Sequence, residues 1–343
     1  MDDPILVWGG GAIGGTLAAS WAKAGEDVVL VDVVSEHIKA CNTSGLQIEG
    51  PVEAFKVNIK AFLPKDLVGR FSRIVLAVKA QHTRLATNML LSHLDKDGYV
   101  LSAQNGLNEI VISEIVGRNR TMGAFLNFGA DWLGPGKILF GNRGAVVLGE
   151  LDGSVSYRTN AMYKVMQKFD SDAVLTDNIW GYLWGKLAYG AMLFATALTD
   201  RSMADNFAKT ELAPIWSGLA REVMAVARKR SIVPVGFDGF DPSAFLPDSD
   251  HFAADRCIAG LVDFNRKTAK THSGIWRDLA VRRRKTEVDD QIGILIMLAK
   301  ESGIEVPLIE CLVSLVHDVE EGRRPLADET LMPLIDTIKG RIT

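Results

Sequence analysis

The first chemistry that the sequence offers is the binding of a pyrophosphate by a glycine-rich turn. Gly9, Gly11 and Gly14 satisfy the pattern G-x-G-x-x-G. The first glycine of this pattern permits a tight turn, the second lets the backbone approach a pyrophosphate, and the third allows close packing of helix on strand. Asp32 follows 18 residues after Gly14, near the spacing of about 20 residues at which a carboxylate holds ribose hydroxyls. The pattern predicts a dinucleotide site.

Asp32 also bears on which dinucleotide is bound. A carboxylate accepts hydrogen bonds from the adenosine ribose hydroxyls but repels a 2′-phosphate. Asp32 therefore favours NAD as the cofactor, with NADP the less favoured of the two. The alternative interpretation is that Asp32 is a solvated residue at the end of a strand.

A lysine beside an apolar helix face is the second candidate for chemistry. The segment from Trp180 to Leu198 has apolar residues at helical spacing. Lys186 lies to one side of this stripe, with Gly190 one turn further along. An ammonium group is costly to bury without a partner or a function, and a glycine costs about 1 kcal/mol of helix propensity relative to alanine. Gly190 thus indicates room for a ligand near Lys186, whereas the alternative is a lysine that extends to solvent from the helix edge.

The elements that must position these groups begin with short buried strands. Apolar runs at residues 5–8, 28–31, 73–78 and 99–103 are typical of a parallel sheet. Because α/β sheets bind ligands at the carboxyl ends of their strands, Lys79 and Asn105 are predicted to lie at the same edge as Gly11. Two alternatives stay open: Lys79 as a solvated loop residue, and Asn105 as part of a turn with Gly106.

The composition changes near residue 178. Residues 121–150 are rich in glycine with short apolar runs, which indicates antiparallel strands and turns. From Ile179 onward helical patterns dominate, including one long helix predicted from about His251 to Arg284. The predicted fold class is α/β: a Rossmann dinucleotide-binding domain over residues 1–178, followed by an all-helical C-terminal domain over residues 179–343.

Composition limits the classes of binding partner and the cellular location that we expect for the protein. The formal net charge of −4 over 343 residues gives no basis for a nucleic-acid partner. The three cysteines are far apart and predict neither a disulfide framework nor a metal site. The N-terminus lacks the features of a signal peptide, and the most apolar window, residues 187–198, is shorter than the ~20 residues of a membrane span. We expect a cytoplasmic protein without metal, membrane or nucleic-acid partners.

Several motifs together resemble those of the ketopantoate reductase (2-dehydropantoate 2-reductase) family over essentially the whole chain. They are GGGAIG at 9–14, VKAQ at 78–81, QNG at 104–106, WGKLAYGA at 184–191 and RRKTEVD at 283–289. The resemblance implies a Rossmann domain, a helical domain, a substrate cleft between them and a homodimer formed through the helical domain. It also implies three catalytic roles: Lys186 as the catalytic lysine, Glu287 as a carboxylate in the cleft, and Asn105 near the nicotinamide.

The chemistry implied by the resemblance is hydride transfer between a nicotinamide and a carbonyl carbon. The Lys186 ammonium would hydrogen-bond the carbonyl oxygen and donate its proton, while Glu287 would orient a substrate hydroxyl or the lysine. The predicted cofactor-binding residues are Gly9, Gly11, Ala12, Ile13, Gly14, Asp32, Lys79, Gln81, Asn105 and Glu287.

The departures from the family pattern concern the substrate. Gly190 and Phe194 occupy positions where the family usually presents asparagines, and Gly274 and Ile275 lie near its carboxylate-binding serine. The predicted substrate-binding residues are these four together with Lys186. Loss of polar contacts to a small hydroxy acid would leave buried groups unpaired, at roughly 1–3 kcal/mol each. We therefore expect an NAD-linked relative that acts on a different, bulkier or less polar 2-oxo or 2-hydroxy acid.

Two alternative functions stay open at the level of sequence. The chain could be a true NADPH-dependent 2-dehydropantoate 2-reductase of pantothenate biosynthesis, with its substrate contacts supplied by other residues. It could also be a nicotinamide-binding sensor without chemistry, although the presence of both Lys186 and Glu287 argues against a sensor.

Overall fold

The structure is a computed structural model that describes residues 3–268 and 271–340. The chain divides into two compact units between Ile179 and Trp180. The boundary predicted from the sequence is near residue 178. We refer to the first as the α/β unit and to the second as the helical unit.

The α/β unit combines short strands with helices that connect them. Its helices are α1 (Ala12–Lys23), α2 (Ser35–Ser44), α3 (Thr83–Leu90), α4 (Asn108–Val116) and α5 (Tyr157–Phe169). Its strands are β1 (Ile5–Trp8), β2 (Val28–Val31), β3 (Leu46–Glu49), β4 (Phe55–Val57), β5 (Lys60–Phe62), β6 (Phe71–Leu76), β7 (Leu94–Ser102), β8 (Thr121–Leu126), β9 (Gly129–Gly134), β10 (Lys137–Asn142), β11 (Val146–Glu150) and β12 (Val174–Leu175).

The main sheet has the strand order β12-β11-β8-β7-β6-β1-β2-β5. Neighbouring strands are parallel except for the antiparallel pair β8 and β11. From β1 the chain proceeds to β2 on one side and later returns to β6 on the other. The order therefore reverses at β1, and such a switch point is where open α/β sheets bind ligands.

A second, smaller sheet has the order β4-β3-β10-β9. The pairs β9–β10 and β8–β11 are antiparallel, which confirms the expectation of antiparallel strands in residues 121–150. That expectation was incomplete, because β10 also pairs in parallel with β3 and β8 pairs in parallel with β7.

The core of the α/β unit lies on both faces of the main sheet. All four residues of β1 and of β2 are buried, as expected for central parallel strands covered on both sides. One face packs against α1 and α5 through side chains that include Leu17, Trp21 and Met162. The opposite face packs against α3 and α4 through Leu90 and Ile112. This three-layer arrangement is the predicted α/β fold.

The helical unit is built around apolar helices of moderate length, and none of the described helices has the length and apolarity of a membrane span. Two stretches, Arg277–Val281 and Asp289–Gly293, are π-helical. Its helices are α6 (Ile179–Thr196), α7 (Met203–Ala208), α8 (Ala213–Lys229), α9 (Ala253–Lys267), α10 (Gly274–Trp276), α11 (Ile294–Ser302), α12 (Pro307–Glu320) and α13 (Met332–Gly340).

The single long helix predicted from His251 to Arg284 is wrong. Helix α9 ends at Lys267, because Thr268 is extended and its hydroxyl hydrogen-bonds a carbonyl of the last turn. A new helix starts at Gly274, where the Ser273 hydroxyl accepts the N–H of Trp276 at 3.1 Å. Threonine and serine side chains compete in this way with helical backbone bonds. Residues 269–270 of the predicted helix lie outside the described residues.

Candidate dinucleotide and substrate sites

Four strands of the main sheet end together at one edge. The last residue of β1 pairs with the last residues of both β2 and β6, and the last residue of β6 pairs with that of β7. The turns that follow these strands carry Asp32, Gly11, Lys79 and Asn105. Their predicted placement at the same edge is thereby confirmed, while their contacts with a cofactor stay predictions.

The glycine turn after β1 is shaped by close backbone approach. Gly9 has a φ of +109°, and a Cβ there would lie 2.8 Å from backbone atoms of Ala77 and Val78. A Cβ on Gly14 would lie 2.0 Å from the Gly9 carbonyl oxygen. Gly11 differs, because a Cβ there would meet no described atom within 4 Å. The backbone at Gly11 is thus accessible to an anion at the start of α1, which suits the pyrophosphate of a dinucleotide.

Asp32 is held in a defined orientation beside this turn. Its Oδ2 accepts the backbone N–H of Gly10 at 2.7 Å, and its Oδ1 accepts the N–H of Val34 at 2.9 Å. The side chain is half-buried. Each carboxylate oxygen has a further lone pair for an incoming donor. Asp32 therefore presents an oriented acceptor next to the glycine turn, as the ribose of NAD requires.

A histidine that the sequence analysis did not single out lies beneath the turn. His37 is 1% exposed, and its Nδ1 accepts the N–H of Gly136 at 3.0 Å. A Cβ on Gly10 would lie 3.0 Å from its Nε2. Burial lowers the pKa of His37, against the smaller opposing effect of the Asp32 charge. His37 is thus a packing partner of Gly10, and its position in an ordinary helix pattern gave no sign of this contact.

The other predicted cofactor residues differ in exposure. Ala12 and Ile13 are half-buried in the first turn of α1. Lys79 is half-buried just before a 3-10 turn, and both Gln81 and Asn105 are exposed. These residues lie at the edge of the sheet that carries Gly11, and their contacts with a cofactor stay predictions.

In the helical unit, α6 carries the candidate lysine. Lys186 is half-buried on this helix, and so is Gly190 one turn later. A Cβ on Gly190 would meet no described atom within 4 Å, so the helix leaves open space there. Phe194, a further turn along, is 0% exposed. It lies with the core side chains, and its predicted contact with substrate stays a prediction.

Glu287 is half-buried between two anchored neighbours. The N–H and the hydroxyl of Thr286 donate to Glu320 Oε1 at 2.6 and 2.7 Å, and Val288 is 1% exposed. The Glu287 carboxylate accepts a hydrogen bond from the side-chain amide of Gln291, a residue that the sequence analysis missed. The two π-helical stretches of the unit flank this segment, and such stretches are frequent at functional sites.

Gly274 and Ile275 open the short helix α10. Gly274 is exposed, and a Cβ there would meet no described atom within 4 Å. Ile275 is half-buried. The neighbouring Ser273 is 3% exposed, and its hydroxyl caps α10. The serine next to Gly274 is therefore engaged in helix capping.

The thiols show no sign of reactivity. Cys41, Cys257 and Cys311 are free cysteines, and burial raises the pKa of each, that of Cys41 to about 11. A thiol with a raised pKa is a poor nucleophile and metal ligand at neutral pH. Within residues 3–268 and 271–340, no group of three or more His, Cys, Asp or Glu side chains could hold a metal ion.

The fold and the sheet edge define a class of protein. A parallel sheet with a glycine turn and a carboxylate at its switch point, followed by a helical unit, is an arrangement suited to dinucleotide-dependent oxidoreductases. The model of the family described as Ketopantoate reductase PanE/ApbA matches residues 5–153, and that of its C-terminal domain matches residues 178–320. The chain belongs to the ketopantoate reductase family, whose members are NAD(P)-dependent oxidoreductases acting on CH–OH groups.

Three proteins show what this chain is similar to. The 2-dehydropantoate 2-reductase of Pyrococcus horikoshii is 27% identical over 322 residues, which cover 92% of this chain and 97% of the relative. The structure of a D-mandelate dehydrogenase with NADH and anilino(oxo)acetate has a TM-score of 0.81 at 22% identity, covering 93% of this chain and 99% of that one. A dimeric ketopantoate reductase from Staphylococcus aureus has a TM-score of 0.72 at 17% identity, covering 94% and 100% of the two chains.

Proposed function

We propose that this protein transfers hydride between NAD(H) and a 2-oxo or 2-hydroxy acid that is bulkier or less polar than ketopantoate. The observation that carries the proposal is the Asp32 carboxylate, which backbone N–H groups of Gly10 and Val34 orient beside the glycine turn. An oriented carboxylate at this position accepts from a ribose hydroxyl and repels a 2′-phosphate.

The residues at the sheet edge fit a nicotinamide dinucleotide. The open backbone at Gly11 would receive the pyrophosphate, and Asp32 would receive the adenosine ribose. Lys79 and Asn105 would face the remainder of the cofactor. When bound, the nicotinamide ring supplies or accepts the hydride.

Lys186 is the proposed general acid and base. In the reducing direction its ammonium group donates a hydrogen bond to the substrate carbonyl oxygen and then transfers a proton to that oxygen, which completes the alcohol and leaves a neutral amine on Lys186. Glu287, held between the anchored Thr286 and Val288, orients a substrate hydroxyl or the lysine. Asn105 completes the proposed catalytic set.

The substrate class follows from small residues in the helical unit. Gly190 and Gly274 leave open space where an asparagine and a serine would offer polar contacts. Such positions suit a larger or more apolar substituent on the acid, because fewer polar groups would be left unpaired. The D-mandelate dehydrogenase with a similar fold, which was solved with NADH and anilino(oxo)acetate, supports this choice.

The second candidate is an NADPH-dependent 2-dehydropantoate 2-reductase. It is favoured by the Pyrococcus horikoshii relative, which carries that activity in its name. We further propose a homodimer, as in the Staphylococcus aureus relative, located in the cytoplasm.

The test is a parallel fluorescence titration with NADH and NADPH, followed by turnover of ketopantoate and of a panel of bulkier 2-oxo acids. We expect tighter NADH binding and turnover within the panel. In Asp32→Asn, loss of charged hydrogen bonds should weaken NADH binding by about 10- to 100-fold, whereas Glu36→Gln, an exposed acid on α2, should leave it unchanged.

Three outcomes decide against parts of the proposal. NADPH preference with rapid ketopantoate turnover would establish the second candidate. NADH binding without turnover of any carbonyl or alcohol would indicate a sensor. Equal affinity of Asp32→Asn and wild type for NADH would remove the carboxylate from the cofactor site.

A further inference from the structure

A chain of buried polar side chains links two turns at the ligand edge of the α/β unit. The turn after β6 contains Val78 and Lys79, and the turn after β7 contains Asn105. Three buried residues connect these turns: one in the turn after β7 itself, one on α3 and one on α4. They are Thr83, Gln104 and Asn108, which are 1%, 8% and 4% exposed.

The hydrogen bonds start at the Gln104 side-chain amide and end at a backbone carbonyl of each turn. The Gln104 side-chain amide donates to the Val78 carbonyl at 2.9 Å and to the Thr83 hydroxyl at 2.7 Å. That hydroxyl donates to Asn108 Oδ1 at 2.7 Å. The Asn108 side-chain amide then donates to the carbonyl of Asn105 at 2.7 Å.

The chemistry of the groups fixes which of them donate and which accept. Both ends of the chain are backbone carbonyls, which only accept, so each must face an amide N–H. Between these ends, the Thr83 hydroxyl and the Asn108 carboxamide each accept one hydrogen bond and donate one. Rotation of either amide by half a turn would place its oxygen against the carbonyl oxygen of Val78 or of Asn105, and two acceptors repel each other.

We propose that Thr83, Gln104 and Asn108 are positioning residues that hold the Lys79 and Asn105 turns at a fixed separation for the nicotinamide half of the cofactor. This inference rests on the proposed function, because it takes Asn105 as a residue near the nicotinamide. The three side chains act through the turns and need not touch the cofactor. Asp32 and the glycine turn, which would hold the adenosine half, take no part in the chain of bonds.

The helix α3 offers a matched control for Thr83. Thr87 lies one turn later on the same helix and is 0% exposed. Its hydroxyl donates to the carbonyl of Thr83 within the helix at 2.7 Å and does not join the two turns. Thr83→Val and Thr87→Val therefore make the same chemical change in similar surroundings, and only the first removes the hydrogen bonds that join Gln104 to Asn108.

The experiment compares binding of NADH with binding of ADP-ribose, which lacks the nicotinamide. For Thr83→Val we expect NADH affinity to fall by up to about tenfold and kcat by about 10- to 100-fold, since a misplacement near 1 Å costs about 100-fold in rate. ADP-ribose affinity should stay within about twofold because the adenosine half is untouched. Thr87→Val should match wild type in NADH affinity, ADP-ribose affinity and kcat. Thr83→Ser keeps the hydroxyl and should give values close to those of wild type.

Each outcome is decisive. Equal NADH binding and kcat in Thr83→Val and Thr87→Val would overturn the positioning role while leaving the proposed function intact. Equal loss of NADH and ADP-ribose affinity in Thr83→Val would also overturn it. Wild type that binds neither ligand would refute the proposed function itself. If Thr83→Val does not fold, Asn108→Asp replaces it, because an acid oxygen opposite the Asn105 carbonyl breaks the same link with little change in size.

Discussion

Two glycines of the α/β unit and two of the helical unit differ in what surrounds them. In the α/β unit, side chains at Gly9 and Gly14 would collide with backbone atoms of neighbouring segments. In the helical unit, a Cβ atom on Gly190 or Gly274 would lie in open space. The first pair is required by packing, so it reports on the fold. The second pair is not required by packing, and our proposed function assigns its open space to the substrate.

Among the substitutions that we propose, removal of Lys186 should have the largest effect, and it should affect catalysis and not cofactor binding. We expect Lys186→Ala to lower kcat by about 10²- to 10⁴-fold, the usual contribution of a general acid. NADH affinity should stay within about twofold, because Lys186 is not among the proposed cofactor contacts. Steady-state kinetics with NADH fluorescence titration measures both. Lys300→Ala, an exposed lysine on α11, is the control, and equal activity of Lys186→Ala and wild type would remove Lys186 from the mechanism.

A buried acid should make the stability of the α/β unit depend on pH. Glu109 on α4 is 0% exposed, its carboxyl oxygens lack a hydrogen bond of good geometry within the described residues, and burial raises its pKa from 4.5 to about 8. The folded state therefore holds this proton more tightly than the unfolded state. Between pH 4.5 and 8, the group should lower the free energy of unfolding as pH rises, by up to about 1.4 kcal/mol per pH unit.

The measurement is urea unfolding of wild type and Glu109→Gln across that range of pH. The neutral amide should flatten the pH dependence of the free energy of unfolding. The stability of the variant relative to wild type should therefore increase between pH 5 and pH 8. Glu114→Gln, an exposed acid on the same helix that pairs with Arg84, should behave as wild type. Parallel curves for wild type and Glu109→Gln would show that Glu109 is ionised when buried.

The smallest expected effect comes from filling the open space in the helical unit. Gly274→Ser restores a hydroxyl near the position where the family has its serine, and a Cβ there meets no described atom within 4 Å. We expect stability within about 0.5 kcal/mol of wild type. Turnover of ketopantoate should rise by up to about tenfold relative to bulkier 2-oxo acids, as one hydrogen bond allows. A change in that ratio toward the bulkier acids would contradict our account of Gly274.

Prediction from sequence succeeded where a local pattern determines the structure. The apolar runs of β1, β2, β6 and β7 indicated buried parallel strands, and their common register then placed Asp32, Lys79 and Asn105 at one edge. The Asp32 side chain was expected to face a ribose, but its bonds to the backbone of Gly10 and Val34 were not foreseen. Those bonds depend on how the two turns approach each other in space.

Prediction failed or was silent where distant segments meet. The link through Thr83 and Asn108 joins residues 25 positions apart, and the contact of His37 with Gly136 spans 99 positions. No periodicity in the sequence encodes such pairs. The long helix expected after His251 failed for a local reason, since helix capping by Ser273 and the extended Thr268 outweighed the apolar periodicity.

The two backbone bonds accepted by Asp32 have a consequence for how cofactor preference evolves in this lineage. Replacing Asp32 by a basic residue, the simplest route to binding a 2′-phosphate, would also remove the acceptor that fixes the Gly10 and Val34 peptides. A lineage that changes cofactor must therefore acquire another anchor for this turn, before or together with the new charge. The proposed preference for NAD is in this sense buffered against single mutations at Asp32.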